Sequence, residues 1–315
     1  MKKITVLYHS EELDIKAMME TAAAGRAEIT LINPWQSNVE IPADTDALIG
    51  DVWNEGIAIP PSVKWVQTSF AGIERVIPRL TPGAVLTNAS GAFGEGISEY
   101  MLMYMLMLQN RAQEYLAHQE AHEWSPMMPT PMICGSVVTV VGLGDLGGVL
   151  ARKLNALGAI VRGVKRSASA KPDYVDELFT TDELDRALDG ADFVALCLPN
   201  TSETEKILSR ERIFVLKKGA IIVNAGRGGA IDQDALVEAL REKRVLAGLD
   251  VTTPEPLPKD DPLWDAPGVI ITPHISGPGA SAYATKFNLA LFARNIDAYL
   301  SGNPLENVVD LSLGY

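Results

Sequence analysis

Cysteine is nearly missing from this chain, with only Cys134 and Cys197 among 315 residues. Neither has a neighbour at metal-ligand spacing, so a disulfide framework or a zinc site is not expected to organise the fold. Basic charge is also short, with 27 Lys and Arg against 40 Asp and Glu and a net charge of -13. That balance argues against nucleic acid or an anionic membrane surface as a partner. An anionic ligand must therefore be met by individual basic residues. Long apolar runs are lacking too: the longest, residues 101–108, is about half of what a membrane span requires. The start, Met1-Lys2-Lys3, leads into too few apolar residues for a secretory signal. What is present is 47% hydrophobic and 21% charged, an ordinary globular composition. The length allows two domains, each with its own core. These features lead to the expectation of a reduced, soluble, cytoplasmic protein without a metal.

Apolar runs at 4–8, 29–32, 47–49, 64–68 and 84–87 read as strands, and 12–24 as a helix stopped by Gly25. They predict a small doubly wound α/β unit. A long helical pattern covers 97–123 and ends before Ser125-Pro126-Met127-Met128-Pro129-Thr130-Pro131, which cannot continue a helix and reads as an interdomain connection. Within that helix, Met101, Met103, Met105 and Met107 first suggest a segment buried nearly all round. So apolar a helix near a domain junction is also a candidate subunit interface. Further strands are predicted at 138–141, 159–164, 192–198, 220–223, 246–251 and 269–272, with a last helix over 280–300. That helix follows a completed second unit, so it is expected to dock back on the first. The predicted domains are thus 1–97 with 283–315, discontinuous, and 98–282.

The β-branched strand ending in Val138-Thr139-Val140-Val141 runs directly into Gly142-Leu143-Gly144-Asp145-Leu146-Gly147. Such glycines allow a tight turn, close approach of backbone to a pyrophosphate, and tight packing of the next helix on the sheet. The helix predicted from Leu146 would aim free N–H groups and its positive dipole end at that pyrophosphate. A motif of this kind is weak alone, but here a strand precedes it and a helix and second strand follow at the expected distance. Dinucleotide binding is the reading.

Downstream, three segments each place a polar residue just past a strand end: Val223-Asn224-Ala225-Gly226-Arg227-Gly228, Asp250-Val251-Thr252-Thr253-Pro254-Glu255, and Thr272-Pro273-His274-Ile275-Ser276-Gly277. In open α/β sheets ligands bind at that edge, so Arg227, Glu255 and His274 can converge. Histidine titrates near neutral pH and can give and recover a proton. A neighbouring carboxylate favours imidazolium and fixes the ring. Arginine offers a rigid fork for a carboxylate.

With the glycine motif and the turn Pro199-Asn200-Thr201-Ser202-Glu203-Thr204, these segments resemble the D-isomer-specific 2-hydroxyacid dehydrogenase family, from Ser69-Phe70-Ala71-Gly72 to the final helix. The resemblance implies an α/β fold of two doubly wound parallel-sheet domains, a Rossmann nucleotide-binding domain inserted in a flavodoxin-like substrate domain. It implies hydride transfer between NAD(P)H and a small 2-keto or D-2-hydroxy acid, with Arg227 binding the substrate carboxylate, His274 the acid/base and Glu255 its partner. Asp250 would hold the nicotinamide carboxamide. Gly142, Gly144, Asp145, Leu146, Gly147, Leu198, Pro199, Thr204, Ala225, Gly226, Arg227, His274 and Ser276 would line the cofactor. The amides of Ala71 and Gly72 would hold the carboxylate from the far side of a cleft, near Phe70, Asn88 and Ser90, with Trp53, Phe70 and Phe93 as candidate walls. A homodimer is expected.

The second strand ends in Val164-Lys165-Arg166-Ser167, where an NAD-preferring fold usually carries an acid for the ribose 2′-OH. Lysine, arginine and serine there suit a 2′-phosphate, so NADP is favoured over NAD. Family members often carry arginine where this chain has Asp145; a carboxylate there repels phosphate unless it points away or caps the helix. Thr252, where an aromatic is common, is a second departure. Two alternatives stand beside this reading. One is a relative acting on formate or phosphoglycerate, though formate oxidation needs no Glu255–His274 pair. The other is a nucleotide-sensing, corepressor-like protein, which could retain all three residues.

Overall fold

In this computed structural model, residues 1–127, 132–277 and 282–311 are described. The chain divides into two compact units, Met1–Phe93 with Ala280–Tyr315, and Gly94–Gly279. Hence the first crossing falls at Phe93/Gly94, a few residues before the expected boundary, because a helix of the second unit already begins at Gly94.

The first unit contains β1 (Lys2–Leu7), α1 (Ile15–Ala23), β2 (Ala27–Ile32), β3 (Ala47–Gly50), β4 (Trp65–Thr68) and β5 (Val85–Thr87). Its strands pair in parallel in the order β2-β1-β3-β4-β5, the flavodoxin-like order. Alternation divides β1, β3 and β4 between two cores. Ile4, Val6 and Trp65 pack with Ile15 and Met19 of α1, whereas Leu7, Leu48, Val66 and Leu86 face the other side.

The second unit opens with α2 (Gly94–Gln109) and α3 (Ala112–Glu120), then β6 (Val137–Val141), α4 (Asp145–Ala156), β7 (Ile160–Lys165) and β8 (Glu177–Thr180). It continues through α5 (Leu184–Leu188), β9 (Phe193–Leu196), α6 (Arg210–Val215), β10 (Ala220–Asn224), α7 (Gln233–Arg241), β11 (Val245–Leu249) and β12 (Val269–Ile271). Among the described residues the sheet has seven parallel strands, ordered β12-β11-β10-β9-β6-β7-β8. Strand order reverses between β6 and β9, the topological switch point of a Rossmann sheet. Helices α5, α6 and α7 cover one face and α2 and α4 the other, which explains why the central strands are apolar on both sides. The last helix, α8 (Ala282–Ser301), returns to the first unit, where Leu289, Phe292 and Ile296 join Ile4, Met19 and Trp65.

Four sequence-based expectations need correction. The helix expected over 97–123 is two helices, since Arg111 adopts φ 55°, in the left-handed region, while the Asn110 side chain donates to Leu106 O at 2.8 Å. Strand β8 was not anticipated; it is a polar edge strand with one buried residue, Phe179. The Pro-rich stretch 125–131 lies inside the second unit and joins no domains; its residues 128–131 fall outside those described. The methionine helix is not buried all round. Met101 and Met105 are covered by the unit's own sheet, but Leu106 on the opposite face is 45% exposed. Residues 280 and 281, placed in the last helix by sequence, also fall outside the described set.

Candidate active site

Because every strand of the seven-stranded sheet is parallel, the loops that follow them share one edge. The turn after β6 is shaped by close approach. Gly142 has φ 97°, and a Cβ there would meet Cys197 O of the adjacent strand's exit at 2.5 Å. A Cβ on Gly147 would stand 1.8 Å from Gly142 O, so α4 rests directly on the turn. At Gly144, the N-cap of α4, a Cβ would meet nothing within 4 Å. This leaves open space before the first N–H groups of the helix, where a pyrophosphate fits. The residues present therefore suit a dinucleotide. Asp145 does not spoil that fit. Its Oδ1 lies 2.7 Å from where a Cβ on Gly94 would stand, at the first residue of α2. The carboxylate turns toward a helix N-terminus, which favours negative charge.

The remaining cofactor candidates follow strand ends. Lys165 closes β7, followed by Arg166, whose carbonyl accepts from Thr181 Oγ1 at 3.3 Å, and by exposed Ser167. After β9, Thr204 Oγ1 donates to Pro199 O at 2.7 Å, closing the turn that begins at Leu198. Ala225 is buried, and a Cβ on Gly226 would lie 2.8 Å from Leu198 N, so the β9 and β10 exits touch. Asn224, unassigned by sequence reasoning, shapes the β10 exit: it is buried, accepts from Gly226 N at 3.0 Å and donates to Arg227 O at 2.9 Å. The signal was available, as a polar residue ending an otherwise apolar strand.

His274 has φ 51°, an uncommon conformation for a non-glycine residue and one that surrounding bonds must hold. Its N–H donates to Asp250 O at 2.8 Å. The Asp250 carboxylate, itself buried, accepts from Ile275 N and Ser276 N, each at 2.9 Å, and from the hydroxyls of Thr272 and Ser276. Both its oxygens are thus engaged by the loop that carries His274, beyond the carboxamide role expected from sequence. His274 Nδ1 meets Glu255 Oε2 at 2.9 Å, and Glu255 Oε1 accepts from Thr252 N at 3.1 Å. The hydrogen bond with Glu255 raises the His274 pKa, outweighing burial and the repulsion of Arg227. Burial alone would raise Glu255, but the bond to His274, its charge, the Thr252 amide and Arg227 together hold it below the usual carboxylate value. Arg227, which donates from Nη1 to Gly226 O at 2.8 Å, thus acts electrostatically on both partners. Beside them lies a shallow cavity of about 380 Å³ lined by Asn200, Arg227, Gly228, Thr252 and Glu255. A histidine, its carboxylate partner and a guanidinium are together on one edge.

A family model for the D-isomer specific 2-hydroxyacid dehydrogenase, NAD binding domain, matches residues 102–276. The chain belongs to the D-isomer-specific 2-hydroxyacid dehydrogenase family. This 2-hydroxyacid dehydrogenase is 33% identical over 293 residues to a glyoxylate/hydroxypyruvate reductase A of Serratia proteamaculans, covering 90% of this chain and 91% of the relative. A D-isomer-specific 2-hydroxyacid dehydrogenase of Xanthobacter autotrophicus, solved with NADPH and MES, superposes with TM-score 0.82 at 26% identity and full coverage of both chains. An NADPH-dependent glyoxylate/hydroxypyruvate reductase of Sinorhizobium meliloti, solved with NADP and sulfate, gives 0.81 at 26% identity, again covering both chains fully. The dehydrogenase is accordingly an NAD(P)-dependent oxidoreductase interconverting 2-keto and D-2-hydroxy acids. Among the described residues, no helix is long and apolar enough to cross a membrane.

The other substrate candidates lie in the first unit, at the exits of β4 and β5. Asn88 Nδ2 donates to Ala71 O at 3.2 Å, Ala89 N to Phe70 O at 3.1 Å, and Asn288 Nδ2 to Ser69 O at 2.8 Å. These bonds fix 69–71, with Ala71 exposed and Gly72 half-buried. Ser90 N donates to Asn88 Oδ1 at 3.1 Å. Trp53 is 39% exposed beside Trp35, and Phe70 and Phe93 are half-buried.

Proposed function

We propose that the enzyme is an NADPH-preferring reductase of small 2-keto acids, of the size of glyoxylate or hydroxypyruvate. The observation that carries this is the His274–Glu255 bond of 2.9 Å with the Arg227 charge acting on both. When bound, the nicotinamide supplies the hydride that goes to the keto carbon. His274 gives a proton to the carbonyl oxygen, and its raised pKa favours the charged form that donates it. Glu255 holds the imidazolium and orients the ring. Arg227 takes the substrate carboxylate and polarises the carbonyl. Phe70, Ala71, Gly72 and Asn88 stay as substrate contacts on sequence grounds. Lys165, Arg166 and Ser167 support NADP, as do the relatives solved with NADP or NADPH. The relatives named glyoxylate/hydroxypyruvate reductase support the substrate class.

We also propose a homodimer. No residue of α3 is buried, although it presents Tyr115 at 42% and Leu116 at 53% exposure, and Trp124 beyond it is fully exposed. A second copy covering this face would bury them. Both cysteines are free thiols, which suits a reducing cytoplasm.

The test is oxidation of NADPH and NADH in parallel, at equal concentration, against 2-keto acids from glyoxylate to phenylpyruvate. The proposal expects turnover on the small members with NADPH preferred. Tight nucleotide binding with no turnover on any member would favour the sensing protein instead.

A further inference from the structure

Tyr104 sits on α2, remote in sequence from every segment so far assigned to the chemistry, yet its ring lies on β11. A Cβ on Gly248 would stand 2.5 Å from Tyr104 Cγ and 2.6 Å from its Cβ, so only a glycine lets the ring settle there. The side chain is fully buried, in a helix whose neighbouring buried residues are Met101, Met105 and Leu108. For packing alone, phenylalanine would serve. A hydroxyl in such surroundings is costly unless bonded, and this one reaches the Thr272 hydroxyl.

The direction of that bond follows from what comes next. Thr272 Oγ1 donates to Asp250 Oδ1, an oxygen that also accepts from the Ile275 amide. A threonine has one hydroxyl proton, so Tyr104 must donate to Thr272. Burial pushes the Tyr104 phenol up, which keeps that proton in place. The chain therefore runs one way, Tyr104 to Thr272 to Asp250. It ends at Asp250, whose carboxylate also accepts from the amides of Ile275 and Ser276, just past His274, while Asp250 O accepts from the His274 amide.

We propose that Tyr104 and Thr272 are positioning residues that, through Asp250, set the orientation of His274 toward Glu255. This rests on His274 being the acid/base. By completing the donors around a buried carboxylate, the pair keeps the loop in the left-handed conformation that His274 requires. The charged groups facing His274 are Glu255, Asp250 and Arg227; Tyr100 packs edge-on against Tyr104 at 5.4 Å.

The test compares Tyr104→Phe, Thr272→Val, Thr272→Ser and the double variant Tyr104→Phe/Thr272→Val. It measures kcat and KM for a 2-keto acid at saturating NADPH, NADPH affinity, and the His274 imidazole titration by NMR in the protein without cofactor. The titration is tractable because the chain has four histidines. Thr272→Val should lower kcat about ten-fold and Tyr104→Phe about three-fold, as expected for lost buried hydrogen bonds. NADPH affinity should change by less than about two-fold while the titration midpoint falls toward the ordinary imidazole value. Thr272→Ser should behave as wild type, and the double variant as Thr272→Val alone, because the two act as one chain. Additive losses, or a serine variant as impaired as valine, would overturn the relay. So would wild-type kcat and titration in Tyr104→Phe and Thr272→Val. Turnover surviving His274→Ala would instead remove the acid/base reading; the NMR titration of the variants still decides the relay.

Discussion

Glu255 Oε2 and His274 Nδ1 are 2.9 Å apart, joining the exit of β11 to that of β12, and each shifts the other toward its charged form. In the proposed mechanism reduction needs the imidazolium, so the raised His274 value extends the reductive limb of the pH profile toward alkaline pH. Glu255→Gln should draw that limb to lower pH, with a loss of about 10-fold or more at pH 8 and a smaller one at pH 6. The oxidative direction needs neutral imidazole, so its rising limb should move to lower pH as well. Steady-state profiles in both directions check this, and unchanged limbs would contradict it.

The same pair sets a stability window. The folded-state value of His274 is raised, so its contribution is complete below the ordinary imidazole value and fades as pH rises through the raised one. That of Glu255 is depressed, so its contribution is present above the ordinary carboxylate value and lost as pH falls through the depressed one. The difference in melting temperature between wild type and His274→Ala should be largest at about pH 5 to 6. Both side chains are partly exposed, so the difference will be modest.

Arg227→Lys keeps the charge but loses the planar fork. It should raise KM for the keto acid and cut kcat/KM by about 100-fold, with NADPH affinity near wild type. Initial-rate kinetics over a substrate series measure this.

Replacing Lys165 and Arg166 together with Ala should weaken NADPH by about 10-fold or more and leave NADH nearly unchanged, because only NADPH carries the 2′-phosphate. Titration of both nucleotides tests it. Equal losses would refute the assignment of these residues to the 2′-phosphate.

Gly147→Ala would put a methyl group 1.8 Å from Gly142 O, between α4 and the turn it rests on. It should cost about 1 to 3 kcal/mol in stability and weaken dinucleotide binding. Thermal melting with and without NADPH reads both effects.

Much of this architecture could be read from the chain because its central strands are apolar runs closed by a glycine or a polar residue. That placed β6, the glycine turn, Arg227, Glu255 and His274 on one edge. Other features depend on tertiary partners. β8 is an edge strand with one buried residue and leaves no alternation to detect. The break at Arg111 rests on a left-handed arginine, which no composition signals. Asp145 looked hostile to phosphate until α2 supplied a helix N-terminus for its carboxylate. Tyr104 stands in an apolar stretch of sequence, and its hydroxyl acquires meaning only when the exit of β12 brings Thr272 beside it.

The role proposed for His274, acid/base of a 2-keto acid reductase, is open to direct test. The direct measurement is NADPH-dependent reduction by His274→Ala, alongside its NADPH affinity. Turnover should fall about 10²- to 10⁴-fold with nucleotide binding preserved. Turnover near wild type would contradict it.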